Sequence, residues 1–413
     1  MGERGTDEPG HEAGPARSAM TADVKKQRGR RPAGSRQERM SRVKRVVVKI
    51  GSSSVAGTAN KLDGRLIGRL VNDVVELREG GTEVAIVSSG AVAAGMGRLE
   101  IAQRPRSIAE LQATAAVGQN LLMGAYEGFF RRRKVPVGQV LLTAADILEN
   151  RQRYVNLRNT FRQLFAYGVV PVINENDSVA VAELKRSIGE NDMLAAYVAN
   201  LVHAELLVVL SDVEGLYSEY GAGGPMGEVI GEVGADDANI DRVIGRSNSK
   251  MGSGGMATKL TAARLLMACG EMTVIAHARK HSLKQILAGE EVGTLFSPSR
   301  KRLGSRKRWI GYASPARGSV VVDRGAERAI RERGKSLLPV GVVICRGEFS
   351  AGDVVSIESC NNAEVARGLS RYASEEIERI RGRNLSQVEQ ILGRPALEVI
   401  HRDDLVVTAG AFE

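Results

Sequence analysis

Between residues 46 and 288, short apolar runs alternate with longer segments of helical periodicity. No other feature of the 413 residues limits the fold as strongly. Strand-sized runs lie at 46–50, 83–87, 137–142, 169–173, 206–210 and 272–276. Helical spacing fills 62–77, 106–133, 151–167, 191–202, 257–269 and 282–288. This order predicts repeated strand–helix–strand units, and so a mainly parallel sheet sandwiched by helices. Ligands of such sheets bind beyond the carboxyl ends of the strands, so the polar turns that follow these runs are the candidate site.

Two of these turns pair glycine with lysine. The run Val46-Val47-Val48-Lys49-Ile50 opens into Gly51-Ser52-Ser53-Ser54, and Lys49 sits inside the apolar strand. A lysine there is costly unless it is paired. The stretch Gly252-Ser253-Gly254-Gly255-Met256-Ala257-Thr258-Lys259 runs straight into a helical segment. Glycine permits close backbone approach, a helix N-terminus offers N–H groups to phosphate, and Lys259 lies one turn in. The spacing is not that of a P-loop. Taken together, the two loops favour a nucleoside triphosphate. Three further turns follow strands or open helices: Ser88-Ser89-Gly90-Ala91, Asn174-Glu175-Asn176-Asp177, and Gly189-Glu190-Asn191-Asp192. Turn formation and helix capping explain each one separately. Jointly they gather amide, hydroxyl and carboxylate groups around two lysines, which suits a small zwitterionic substrate beside ATP.

The net charge of +10 is unevenly spread. Residues 1–45 and 298–308 each carry +6, leaving the remainder at −2. The basic character therefore belongs to a tail and a linker, not to a nucleic-acid-binding face. Residues 1–41 are polar and lack periodicity, so they are expected to form a disordered basic tail without a signal-peptide core. Three cysteines without metal spacing, and no apolar run of spanning length, point to a reducing cytoplasm with no membrane partner. After residue 297 the pattern changes to a charged Pro/Gly/Ser stretch. Short strand-like runs then follow at 319–322, 341–345 and 353–357, with one short helix near 326–332.

The motifs now assemble into a resemblance. Val-Lys-Ile-Gly-Ser-Ser (48–53), Ser-Ser-Gly-Ala (88–91), Ala-Val-Gly-Gln (116–119), Val-Gly-Gln-Val-Leu-Leu-Thr (137–143), Pro-Val-Ile-Asn-Glu-Asn-Asp (171–177) and Gly-Gly-Met-Ala-Thr-Lys (254–259) occur in this order. Lys-Arg-Trp-Ile (307–310) and Ser-Leu-Leu-Pro-Val-Gly (336–341) follow. Over about residues 44–402 the chain resembles the glutamate 5-kinases, amino acid kinase family enzymes with a C-terminal PUA domain. The resemblance implies an α/β catalytic domain over 42–297, a basic linker over 298–312 and a small, mostly β PUA-like domain over 313–413. It also implies that ATP phosphorylates the γ-carboxylate of L-glutamate, with Mg²⁺, in the first step of proline biosynthesis.

Carried over by position, Lys49 and Lys259 would neutralise the transferring phosphoryl group, with Asp192 holding both lysines. Ser89, Asp177, Asn191 and Asn174 would bind glutamate. Lys49, Ser211, Asp212 and the loop Ser253, Gly254, Gly255, Met256, Ala257, Thr258 and Lys259 would contact ATP. No residue is expected to form a dedicated metal site. The resemblance further implies proline as feedback inhibitor, a homo-oligomer, and glutamyl phosphate reductase as a channelling partner. Glu190 departs from the aspartate of the family pattern, and residues 184–188 form a slightly longer loop. Two other readings compete with this one. The acceptor could be aspartate, acetylglutamate, carbamate or a nucleoside monophosphate, or the chain could bind RNA through its PUA-like part. The 174–177 and 189–192 turns carry no basic residue for an acceptor phosphate, and residues 313–413 hold few aromatics for base stacking.

Overall fold

The computed structural model describes residues 34–57, 62–148, 151–180, 191–221, 224–234, 255–298 and 303–408. The first element is helix α1 (Arg36–Met40), opened by a reciprocal capping box between Ser35 and Glu38. Arg39 pairs with Glu232 at 2.9 Å, and Met40 is buried. The last residues of the expected disordered tail are therefore helical and docked. The Ser-x-x-Glu signal at 35–38 is local, and it is lost in the polar composition around it.

Among the described residues, the strands of the N-terminal part are β1 (Arg45–Ile50), β2 (Glu83–Ser88), β3 (Val137–Leu142), β4 (Val170–Glu175), β5 (Leu206–Ser211), β6 (Tyr217–Gly221), β7 (Gly224–Val229), β8 (Glu232–Gly234), β9 (Met272–His277) and β10 (Thr294–Ser297). Eight of them form one sheet in the order β3-β4-β2-β1-β5-β9-β10-β8, and β6 pairs with β7 as a hairpin. From β3 to β9 every pairing is parallel, whereas β10 runs antiparallel to β9. The chain leaves β1 toward β2 on one side and later returns to β5 on the other. The crevice beyond the end of β1 is therefore the topological switch point.

The period-2 geometry of the strands divides the core in two. Val47, Ala85, Val87, Ile173, Leu207 and Val209 face helices α5 (Arg151–Ala166), α6 (Asn191–Val202) and α7 (Met256–Cys269). Val46, Val48, Ile50, Val84, Ile86, Val172 and Val208 face α2 (Gly64–Glu79), α4 (Ile108–Arg132) and α8 (Leu283–Leu287). Both faces being covered explains why these runs are continuously apolar. Helix α3 (Ala91–Arg98), which the sequence reading took only as a turn, packs on α4 through glycines. A Cβ at Gly95 would come within 1.9 Å of Thr114 O, and one at Gly118 within 1.8 Å of Ala91 O.

The C-terminal part is a five-stranded mixed sheet, ordered β12 (Val342–Arg346), β11 (Ser319–Val322), β13 (Val354–Glu358), β14 (Glu364–Leu369), β15 (Leu405–Val407). It carries helices α9 (Arg324–Arg333), α10 (Ser374–Ile380) and α11 (Leu385–Leu392), two more than the single helix expected. Both of the extra helices are short, and each buries little: Ile377 and Ile380 in one, Val388 in the other.

The expected basic linker is in part a packed junction. Residues 305–308 form a helical turn, and Arg308 is wholly buried against Glu271. Its Nε donates to Leu303 O at 2.7 Å, while Ile310 and Tyr312 share one core with Val406 of the C-terminal sheet. Counting charge along the sequence could not separate this arginine from the other basic residues of the stretch. Because α3 and α4 touch backbone to backbone, Gly118→Ala should destabilise the protein by about 3 kcal/mol through overpacking. Denaturant unfolding measures this, and an unchanged midpoint would contradict the close approach.

Candidate active site

The parity that sends Val47 toward α6 and α7 sends Lys49 the same way. Both helices begin at that end of the sheet, so Asp192 in the first turn of α6 and Lys259 in the first turn of α7 meet the β1 lysine. Lys49 Nζ lies 2.6 Å from Asp192 Oδ1, and Lys259 Nζ lies 3.2 Å from Oδ2. Thr258 Oγ1 donates to the same Oδ2 at 3.0 Å, and Lys259 Nζ donates to Gly255 O at 2.9 Å. Asp192 is 0 % exposed, Lys49 4 % and Lys259 7 %. Burial alone would raise the Asp192 pKa. The two ammonium groups, with hydrogen bonds from Lys49 and Thr258, outweigh it and hold the carboxyl below its usual range. The triad keeps a net positive charge at the mouth of the switch point.

Above it opens a cleft of about 290 Å³. Lys49, Gly51, Ser52 and Ser53 border it at the centre, with Ser211, Asp212, Gly255 and Lys259 on the β5 side. Ser89 to Ala93, Arg104, Asn174, Glu175, Asp177 and Asn191 border it on the β2–β4 side. Gly90 caps α3 with φ 110°, a conformation that favours glycine, and so turns the chain from Ser89 into the helix. The β2–β4 wall is knitted together by side-chain amides. Asn191 Nδ2 donates to Ser89 Oγ at 2.7 Å and to Asn174 Oδ1 at 2.9 Å, and Asn174 Nδ2 donates to Gln119 Oε1 at 2.8 Å. On the other wall Ser211 Oγ donates to Asp212 Oδ1 at 3.0 Å. Burial pushes the Asp212 pKa up, but hydrogen bonds from Ser211, its own backbone and Ser53 bring it below the ordinary value.

Lys49, Ser89, Asn174, Asp177, Asn191, Ser211, Asp212, Gly255 and Lys259, all expected from the sequence, thus line one cleft. Asp192 lies beneath it. Met256 does not line it, because its side chain is buried in the core under α7, and only its backbone is near the helix start. Ala257 is half-buried and lies outside the cleft lining, and Thr258 reaches Asp192. Ser253, Gly254, Glu190 and the 184–188 loop lie outside the described residues. The sequence reading gave no role to Gln119, Arg104 or Glu175, nor to Tyr126, which is buried on α4 and donates to Ser88 Oγ at 3.0 Å. Gln119 and Glu175 had a signal, their places in the 116–119 and 171–177 motifs. Tyr126 sits at a spacing that reads as core, and the core is where it is found.

Among the described residues no three His, Cys, Asp or Glu side chains gather as a metal cluster. Asp212 is the carboxylate of the β5 wall, and a divalent cation carried in on phosphates would need only one or two such protein carboxylates. No helix among the described residues is long and apolar enough to cross a membrane.

Residues 44–276 match the amino acid kinase family, and residues 318–392 match the PUA domain. The glutamate 5-kinase of Citrifermentans bemidjiense is 45 % identical over 374 residues, 90 % of this chain and 100 % of its own. That of Methylococcus capsulatus is 44 % identical over 367 residues, 88 % of this chain and 97 % of its own. The crystal structure of UMP kinase from Bacillus anthracis is 16 % identical, covers 62 % of this chain and 97 % of its own, and superposes with a TM-score of 0.42, too distant to bear on the acceptor.

Because the folded pKa of Asp192 is depressed, its stabilising contribution is complete above the unfolded value of about 4 and is lost as pH falls through the folded one. The stability gap between the wild type and Asp192→Asn should stay level from pH 7 to about 5 and narrow only below about 4. Denaturant titrations across that range read the gap directly. Closure between pH 5 and 7 would contradict an ionised carboxylate held by two lysines.

Proposed function

The chain belongs to the amino acid kinase family and, within it, to the glutamate 5-kinases. From that membership we infer that it transfers the terminal phosphoryl group of ATP to the γ-carboxylate of L-glutamate. The products are L-glutamyl 5-phosphate and ADP, in the first step of proline biosynthesis. The observation that carries this reading is the Lys49–Asp192–Lys259 triad at the switch point, between two chemically different walls.

A γ-carboxylate oxygen attacks the terminal phosphorus while the bond from phosphorus to the ADP oxygen breaks. The carboxylate is already ionised at neutral pH, so the step needs no general base. It requires in-line positioning and neutralisation of charge as two anions approach. Lys49 lies between the walls and would bridge acceptor and phosphoryl oxygens. Lys259, with the uncapped start of α7, would receive the phosphates. Asp192 would keep both ammonium groups oriented without touching substrate. Ser89, Asn174, Asn191 and Asp177 would hold glutamate, with Asp177 suited to its ammonium group. Ser211, Asp212 and the loop from Ser253 through Lys259 would hold the nucleotide, with Met256 contributing backbone only. Mg²⁺, held by Asp212 and the phosphates, would supply further charge neutralisation.

Glu175 and Asp177 on the acceptor wall disfavour an acceptor that itself carries a phosphate. Three free cysteines suit a reducing cytoplasm. Proline inhibition, a homo-oligomeric state and transfer of the labile acyl phosphate to glutamyl phosphate reductase belong to the same reading.

Acyl phosphate trapped with hydroxylamine should form with glutamate, ATP and Mg²⁺, and not with aspartate or acetylglutamate. Product from either of those acceptors in place of glutamate would overturn the assignment. Lys259→Ala should lower kcat by about 10²–10³-fold while the protein stays folded. Near-normal turnover would remove Lys259 from the transfer step.

A further inference from the structure

On the acceptor side of the cleft, one feature has no role in the reading above. The cationic side chains that line the cleft are Lys49, Lys259 and Arg104. Both lysines are committed to Asp192 at the point of transfer. Arg104 stands apart from them, on the 99–107 segment that joins α3 to α4. It is exposed, and among the described residues no ion pair engages it. It shares the β2–β4 wall with Ser89, residues 90–93, Asn174, Glu175 and Asp177.

The acceptor carries three charges. Its γ-carboxylate must lie toward Lys49, and its ammonium group is matched by the carboxylates of that wall. Its α-carboxylate would face Glu175 and Asp177 unless a cation stood on the same side. A guanidinium binds a carboxylate with two parallel hydrogen bonds and fixes its orientation as well as its position. We propose that Arg104 is a specificity-determining residue that binds the α-carboxylate of the acceptor and so selects which carboxyl group is presented for phosphorylation. The inference rests on the glutamate reading above. It adds that the cleft recognises an α-amino acid by its free carboxylate, and that this recognition sits on the α3–α4 connection, apart from the triad.

The test compares L-glutamate with its α-amide, which keeps the ammonium group and the γ-carboxylate but lacks the α-carboxylate. In the wild type, kcat/KM should be roughly 10- to 100-fold lower for the α-amide, the range of one charged hydrogen-bonding contact. Arg104→Ala should raise KM for glutamate by a similar factor, with kcat and KM for ATP nearly unchanged. It should leave kcat/KM for the α-amide as it was, because the contact is already missing. Arg104→Lys should recover part of the loss. Equal losses on both substrates, or an unchanged KM for glutamate, would overturn the role of Arg104 while leaving the glutamate reading intact. A wild type that makes no hydroxamate from glutamate would instead overturn the reading on which the proposal stands. Arg104 is exposed, so its variants should keep the wild-type unfolding midpoint, and that control separates lost recognition from lost fold.

Discussion

The structure depends on one buried carboxylate. Asp192, in the first turn of α6, is wholly buried and holds the ammonium groups of a strand residue and of a second helix. Each of these charges alone would be expensive to take out of water, and the three persist because each offsets the desolvation of the others. The arrangement works only if β1, α6 and α7 converge at one end of the sheet. That convergence follows from the parallel topology, which brings strand ends and helix starts to the same side. Electrostatics and fold therefore set the same point in space. The cleft opens above the point where three separate segments bring their charges together.

Much of this was legible in the sequence, for a physical reason. Parallel strands covered on both faces are uninterrupted apolar runs, so β1, β2, β4, β5 and β9 stand out, and the turns after them are polar where a ligand binds. Lys49 was conspicuous because a lysine within Val46–Ile50 contradicts its surroundings. Less visible were features whose meaning depends on a distant partner. The Gln119–Asn174–Asn191–Ser89 chain joins four segments, and only contact reveals it. Arg308 looked like one of six basic residues in a solvated stretch until Glu271 appeared beside it. Met256 looked like loop because it follows glycines, but it points into the core.

The two walls of the cleft differ in how they are built. On the β2–β4 side the residues are locked to one another by amides and by backbone packing of α3 on α4. On the β5 side the described contacts are a serine–aspartate pair and the hydrogen bonds of Thr258 and Lys259 at the start of α7. A wall locked in this way suits discrimination among small ligands, where a displacement of an ångström costs rate. A nucleotide site can rely on backbone N–H groups and charge.

The buried Arg308–Glu271 pair also bears on how two domains come to share one chain. A domain joined by a solvated tether could be exchanged or cut away with no effect on its neighbour. Here the tether itself contributes an arginine to the interior of the catalytic domain, beside Ile310 and Tyr312, which pack with Val406. Severing the chain ahead of Leu303 would take from Glu271 the arginine buried against it. Severing it after residue 313 would expose apolar side chains that the second domain covers. The junction ties the two halves together, so recombination between such enzymes should exchange the catalytic domain, junction and C-terminal sheet as one inherited block.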